Sequence, residues 1–436
     1  MRILFATFAV KTHLHPQIPI AWALRAAGHD VRVASQPDLV PDITGAGLTP
    51  VPVGEPLRLS EQMKDLDERR DEAGGADGES LEALDYLALT DMSELRPERL
   101  TYDYMHTRFA VKTMSDFQIL NSERMVDDLV GFARDWKPDL VLWDTMTFAA
   151  PVAAAACGAA HARILFGLDL LARMRESYLE ELAARPPGLR DDPMAEWLGW
   201  TLDRYGCEFT EDTVVGQWTI DPVPTSLRLP VDLHYVPVRY IPYNGPAVIP
   251  DWLREPPRRR RVCLTLGVSF RETMGGDRTP LAELLDAVAD LDVEVVATLN
   301  ARQLAELGRL PGNVRVVDFV PLAALLPSCA AIVHHGGSGT VTTALAAGVP
   351  QIIAPTEIWC NVHKAHKIQE LGAGLYRRVD RFSADEFRNM LVRVLDDPAF
   401  TTHARSLRTE VTSTPAPAEI TATLERLTTE YRRSGR

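Results

Sequence analysis

The stretch AAIVHHGGSGTVTTALAAGVPQIIA, residues 330–354, decides the fold. AAIV is a short apolar run without charge, as a buried strand requires, and QIIA is another. Between them a loop with Gly336, Gly337 and Gly339 opens a helix whose first turn carries Ser338 and Thr340. Strand, loop, helix and strand in that order predict a parallel sheet covered by helices. Glycines let backbone N–H groups approach a bound anion, and a helix N-terminus adds a favourable dipole. The hydroxyls of Ser338 and Thr340, together with His335, would supply further donors. The same kind of turn also occurs in proteins that bind nothing there. The stretch lacks the Gly-Lys-Ser/Thr ending of a P-loop and the GxGxxG spacing of a dinucleotide site. A P-loop kinase and a simple dinucleotide oxidoreductase are therefore disfavoured.

Outward from this stretch the pattern repeats. VCLTL (262–266), VEVVAT (293–298) and VRVV (314–317) are further strands, and Leu281, Leu284, Leu285 and Val288 form a helical stripe. The N-terminal half opens in the same way. RILFATF (2–8) reads as a buried strand, VKTHLHP as a polar loop, and Pro16 suits the first turn of a helix. Ile18, Ile20, Trp22, Ala23 and Leu24 follow on helical spacing up to Gly28, and DVRVAS (30–35) is the next strand. PDLVLWD (138–144) is another buried strand, followed by an alanine-rich helix. Nine prolines between 221 and 257 cannot continue a helix or a central strand and are read as the approach to an interdomain linker. RRRR (258–261) reads as a solvated strand entry. Near the end, Ile420, Leu424, Leu427 and Tyr431 share one helical face that should dock. The expected organisation is α/β, with two Rossmann-like domains facing a central cleft. These are residues 1–240 and 258–412, joined by a linker at 241–257 and followed by a C-terminal helix at 413–436.

Residues 60–100 break the rhythm with 13 acidic and 5 basic side chains, and GGADG (74–78) looks like a loop tip. A solvated insertion is one reading, and a cover for a substrate cleft or a docking surface is the other. Across all 436 residues, 46 Lys and Arg against 60 Asp and Glu give a net charge of −14. Such a charge argues against nucleic acid and acidic membranes as main partners, while leaving room for a local basic pocket. The mix of 46% hydrophobic and 24% charged residues excludes a disordered or collagen-like chain. The five cysteines are odd in number and form no CxxC pair, so neither a disulfide framework nor a zinc site is indicated. With no leader-like start and no apolar run near the ~20 residues that span a bilayer, the chain is expected to be cytoplasmic.

Two further positions carry chemistry. Lys11-Thr12-His13-Leu14-His15-Pro16 follows the first strand, and ligand sites in open α/β sheets gather at the carboxyl ends of strands. A histidine there can act as a general base near neutral pH. Alternatively it makes one loop hydrogen bond, or His13 and His15 form a metal pair, although no carboxylate or cysteine lies close in sequence. Asp144 ends PDLVLWD at the same edge, where it can orient an imidazole or cap the helix that follows.

In combination, the THLHP loop (12–16), PDLVLWDTMTFAAPVAAAACG (138–158), VVGQWTIDP (214–222), YNGP (243–246), RRVCLTLG (260–267), DFVPLAALLPSCAAIVHHGGSGT (318–340) and GVPQ (348–351) resemble the nucleotide-sugar-dependent family 1 glycosyltransferases. They are most similar to the bacterial natural-product branch that moves deoxysugars onto polyketides. The resemblance implies a GT-B fold, with the acceptor in the N-terminal domain and the nucleotide sugar in the C-terminal one. It also implies inversion by direct displacement, no catalytic metal, and no cofactor beyond a dTDP-sugar as co-substrate.

By the matching positions, His13 would deprotonate the acceptor hydroxyl and Asp144 would orient it, with His15 ranked second as base. The diphosphate would rest on His335, Gly337, Ser338, Gly339 and Thr340, with Ser269 nearby. The nucleobase would lie against Phe319, Val320 and Leu322. Where the wider family carries an Asp-Gln pair for sugar hydroxyls, this chain has Trp359-Cys360-Asn361. A thiol cannot accept from two hydroxyls as a carboxylate does, which points to a deoxy- or amino-deoxysugar. A neutral substitution is the alternative. The branch also implies a helper protein similar to haem monooxygenases, and a homodimer is compatible with it. The competing readings are a catalytically silent assembly or binding protein of the same fold, and a sugar-nucleotide epimerase.

Overall fold

The computed structural model describes residues 1–59, 86, 88–265, 281–299, 304, 310–356, 359–378 and 381–434. The described residues of Met1–Leu59, Asp65–Arg239 and Pro415–Arg436 form one compact unit, and those of Tyr240–Thr414 form another. The first unit is built on strands β1 (Arg2–Ala6), β2 (Asp30–Ser35), β3 (Thr49–Pro52), β4 (Leu140–Asp144), β5 (Ala160–Ile164), β6 (Trp218–Asp221) and β7 (Tyr235–Pro237), in the sheet order β3-β2-β1-β4-β5-β6-β7. The second is built on β8 (Arg260–Thr265), β9 (Val293–Thr298), β10 (Val314–Val317), β11 (Cys329–His334), β12 (Gln351–Ile353) and β13 (Gly374–Tyr376), in the order β10-β9-β8-β11-β12-β13. Every described pairing is parallel. Both sheets run outward from their first strand and then reverse, the doubly wound Rossmann-like order. Each reversal, at β1/β4 and at β8/β11, leaves a crevice at the strand C-termini where ligands bind.

The helices that concern the site are α1 (Lys11–Leu14), α2 (Ile18–Ala26), α3 (Ala149–Cys157), α4 (Leu322–Leu325), α5 (Ser338–Ala347), α6 (Asn361–Glu370) and α7 (Thr421–Ser434). The final helix does dock. Ile420, Leu424 and Leu427 are buried, and the Tyr431 ring packs 5.3 Å from that of Trp218. Arg432 bonds Asp139, and Glu425 lies 3.1 Å from His29, all within the first unit.

Four differences from the sequence reading have clear causes. β3 and β7 contain Pro50, Pro52 and Pro237, and each lies at an edge of the sheet, where a missing N–H leaves few ladder bonds unmade. AHARI is strand β5 although polar residues interrupt its apolar run, because His161 and Arg163 are themselves buried. Trp22, placed on the apolar stripe, is 42% exposed and donates its Nε1–H to the Ala46 carbonyl at 2.9 Å. The solvated strand entry holds for Arg258, Arg259 and Arg260 but not for Arg261, which is buried against Glu294 and the Ser328 hydroxyl. The acidic stretch with its GGADG tip lies largely outside the described residues, as do Gly267 and Ser269.

Candidate active site

In the first unit the site begins with α1, a single turn of helix just after β1. Its His13 holds Nδ1 2.8 Å from Asp144 Oδ2. Asp144 is buried at the end of β4, and its Oδ1 accepts the Met146 N–H at 2.9 Å. α3 starts only at Ala149, with Phe148 as its N-cap residue, so Asp144 closes the intervening turn while it holds the imidazole. An ionised carboxylate only accepts, so Nδ1 carries the proton and Nε2 is left with its lone pair. Nε2 makes no hydrogen bond to any described residue. Phe166 stacks on the ring at 4.0 Å and Phe8 tilts against it at 4.4 Å, while Gln17 Nε2 donates to the His13 carbonyl at 2.9 Å. The ring is thereby fixed in tautomer, plane and backbone. His15 closes the same helix on a different partner set: burial lowers its pKa, the Asp42 carboxylate opposes that shift and Lys11 adds to it. Asp144 holds His13, whereas the charges acting on His15 are those of Asp42 and Lys11.

In the second unit β11 delivers the glycine loop to the start of α5. Gly336 N–H donates to His334 Nδ1 at 3.0 Å, so His334 is protonated on Nε2, which donates to Gln351 Oε1 at 3.0 Å. Burial keeps this imidazole neutral and pushes its pKa down to about 3. Gln351, the last residue of GVPQ, thus anchors the loop through its histidine. Gly336 has φ +89°, a conformation that disfavours side chains, and a Cβ there would lie 3.3 Å from Ile353 Cγ2 and 3.4 Å from Asn361 Cβ. Gly337 is the N-cap residue of α5, and Ser338, Gly339 and Thr340 form its first turn. Thr342 and Thr343 turn their hydroxyls back onto carbonyls of this turn, and the buried Tyr240 hydroxyl faces both. His335, just before Gly336, has its pKa lowered to about 4, by burial first and then by Lys364.

Phe319, Val320, Leu322, Trp359, Cys360 and Asn361 also belong to the second unit. Phe319 is 44% exposed, Val320 is buried, and Leu322 opens α4, where Asn244 of YNGP accepts the Ala323 N–H at 3.2 Å. Asn361 packs against Gly336 and donates to Thr356 Oγ1 at 3.0 Å. Cys360 is buried as the N-cap residue of α6, and Trp359 is half-exposed with φ +53°.

Residues 22–267 match the N-terminal domain described as erythromycin biosynthesis protein CIII-like, and residues 282–427 match the C-terminal domain of the same description. The chain belongs to the erythromycin biosynthesis protein CIII-like family. It is a glycosyltransferase of GT-B fold. Aclacinomycin-T 2-deoxy-L-fucose transferase of Streptomyces galilaeus is 57% identical to it over 99% of this chain and 97% of that one. The 10-deoxymethynolide desosaminyltransferase of Streptomyces venezuelae is 48% identical over 99% and 98%. Among solved structures, the glycosyltransferase VinC in complex with dTDP superposes with a TM-score of 0.87 at 42% identity, covering 99% of this chain and 100% of the other.

Sequence reasoning on this CIII-like chain passed over Phe166, His334, Gln351 and Lys364. Phe166 follows β5, a strand whose polar residues hid it, so nothing placed the residue at the sheet edge beside His13. His334 and Gln351 lie within the quoted motifs, but their pairing depends on two adjacent strands.

Proposed function

We propose that the protein transfers a deoxy- or amino-deoxysugar from a dTDP-sugar to a hydroxyl of a polyketide aglycone, with inversion at the anomeric carbon. One observation carries the reading: the His13–Asp144 pair, with Nε2 open, on a relative of transferases named for 2-deoxy-L-fucose and desosamine. In the reaction, Nε2 takes the acceptor hydroxyl proton as the oxygen attacks the anomeric carbon. The bond to the diphosphate breaks, and the leaving group departs with the electron pair. Asp144 stabilises the imidazolium that forms. On the donor side, loop N–H groups and the Ser338 and Thr340 hydroxyls would meet the charge growing on the diphosphate. This route asks for no metal and no cofactor beyond the sugar nucleotide.

The nucleobase against Phe319, Val320 and Leu322, the sugar near Trp359, Cys360 and Asn361, and Ser269 beside the phosphates complete the donor reading. A haem-monooxygenase-like helper and a homodimer belong to the proposal as well. Met114 and Ile119, 67% and 55% exposed just after the acidic stretch, give a helper apolar surface to meet.

Calorimetric titration with dTDP, UDP and ADP tests the donor class. Preferential dTDP binding that His335→Ala weakens is expected. If none of the three binds, with or without the helper, the assignment is wrong.

A further inference from the structure

Beneath the glycine loop lies a cation that the donor reading above leaves unused. The buried face of α6 is Asn361, Lys364, Ala365 and Ile368, an i, i+3, i+4, i+7 set in which lysine occupies a core position. The Lys364 side chain is 3% exposed, and its Nζ donates to Ser338 Oγ at 2.6 Å. The Cys360 thiol is its other neighbour, and His334 and His335 face it from the end of β11. Among the described residues no carboxylate lies within ion-pair distance of it. Desolvation lowers its pKa accordingly.

A buried ammonium with no counter-ion among the described residues costs on the order of several kcal/mol, whereas a methionine or leucine in the same space would cost none of that. Packing therefore does not account for the residue. An anion delivered to the first turn of α5 does, because Ser338 is both the acceptor of the Lys364 proton and a member of the loop.

Resting on the donor-site reading above, we propose that Lys364 is a positioning residue for that site. It orients the Ser338 hydroxyl toward a nucleoside diphosphate and supplies the positive charge that the phosphates complete. The two neighbouring histidines are held neutral by burial and add no second charge near pH 7. Fixed charge below the loop is worth most as the diphosphate leaves, when its own charge is largest.

The test compares wild type with Lys364→Met and Lys364→Gln, reading the melting temperature without nucleotide and the affinities for thymidine diphosphate and thymidine. A structural lysine predicts early melting in both variants. A lysine kept for the diphosphate predicts that Lys364→Met melts at or above the wild-type temperature. It also predicts that both variants bind thymidine diphosphate about tenfold or more weakly, as loss of a charge-assisted bond implies, with thymidine unaffected. Early melting of both variants, or wild-type affinity for thymidine diphosphate in either, would overturn the role of Lys364. If wild type itself binds no thymidine diphosphate, the donor-site reading is what fails.

Discussion

His13 is useful because four neighbours act on it at once. Asp144 sets the tautomer, Phe166 and Phe8 set the ring plane, and Gln17 ties down the backbone. Removing the imidazole by His13→Ala should lower turnover by roughly 10²–10⁴-fold, the range for one general base, with thymidine diphosphate affinity nearly unchanged. Equal loss of turnover and donor affinity would sink the assignment. Asp144→Asn keeps an acceptor for the Met146 N–H but no longer fixes Nδ1 as the donor, so its loss should fall in kcat rather than in melting temperature. That a histidine would stand at the carboxyl edge of the sheet was legible from its place after the first strand. The family resemblance put His13 ahead of His15 and paired it with Asp144; spacing alone does not separate the two, which differ by about half a helical turn, and the packed sheet brings His13 to Asp144.

At the scale of single elements, α7 is the clearest case of sequence and structure agreeing. Its apolar face was written at helical spacing, and that face is buried in the first unit. Leu424 is fully buried there, so Leu424→Ala should cost about 2–5 kcal/mol, seen as a lower melting temperature and a lower denaturant midpoint. A change within experimental error would mean that the helix does not pack in solution as described. The glycine loop shows the opposite relation between motif and cause. HHGGSGT was recognisable in one line of sequence. The His334 clamp that shapes it joins Gly336 to Gln351 across two strands, and no local spacing reports such a bond.

Across the whole molecule, buried neutral histidines tie stability to pH. The pKa values of His161 and His335 are lowered to about 4 and that of His334 to about 3, in each case chiefly by burial, against 6.5 for an ordinary histidine. Below 6.5 the unfolded chain binds protons that the folded chain refuses. Their contribution is therefore complete above pH 6.5 and is lost as pH falls from there toward 4. Melting temperatures should fall between pH 7 and 4.5, and less steeply in His334→Gln; an unchanged slope in that variant would count against the clamp. The alternation of strands and helices, two Rossmann-like halves, the docked terminal helix and the family were all readable along the chain, because periodicity and contiguous motifs are local properties. Folding in three dimensions settled that His13 and Asp144 lie 2.8 Å apart, that prolines can stand in β3 and β7, and that Arg261 and Lys364 are buried. Those outcomes depend on contacts between residues far apart in sequence, which only the folded sheets bring near.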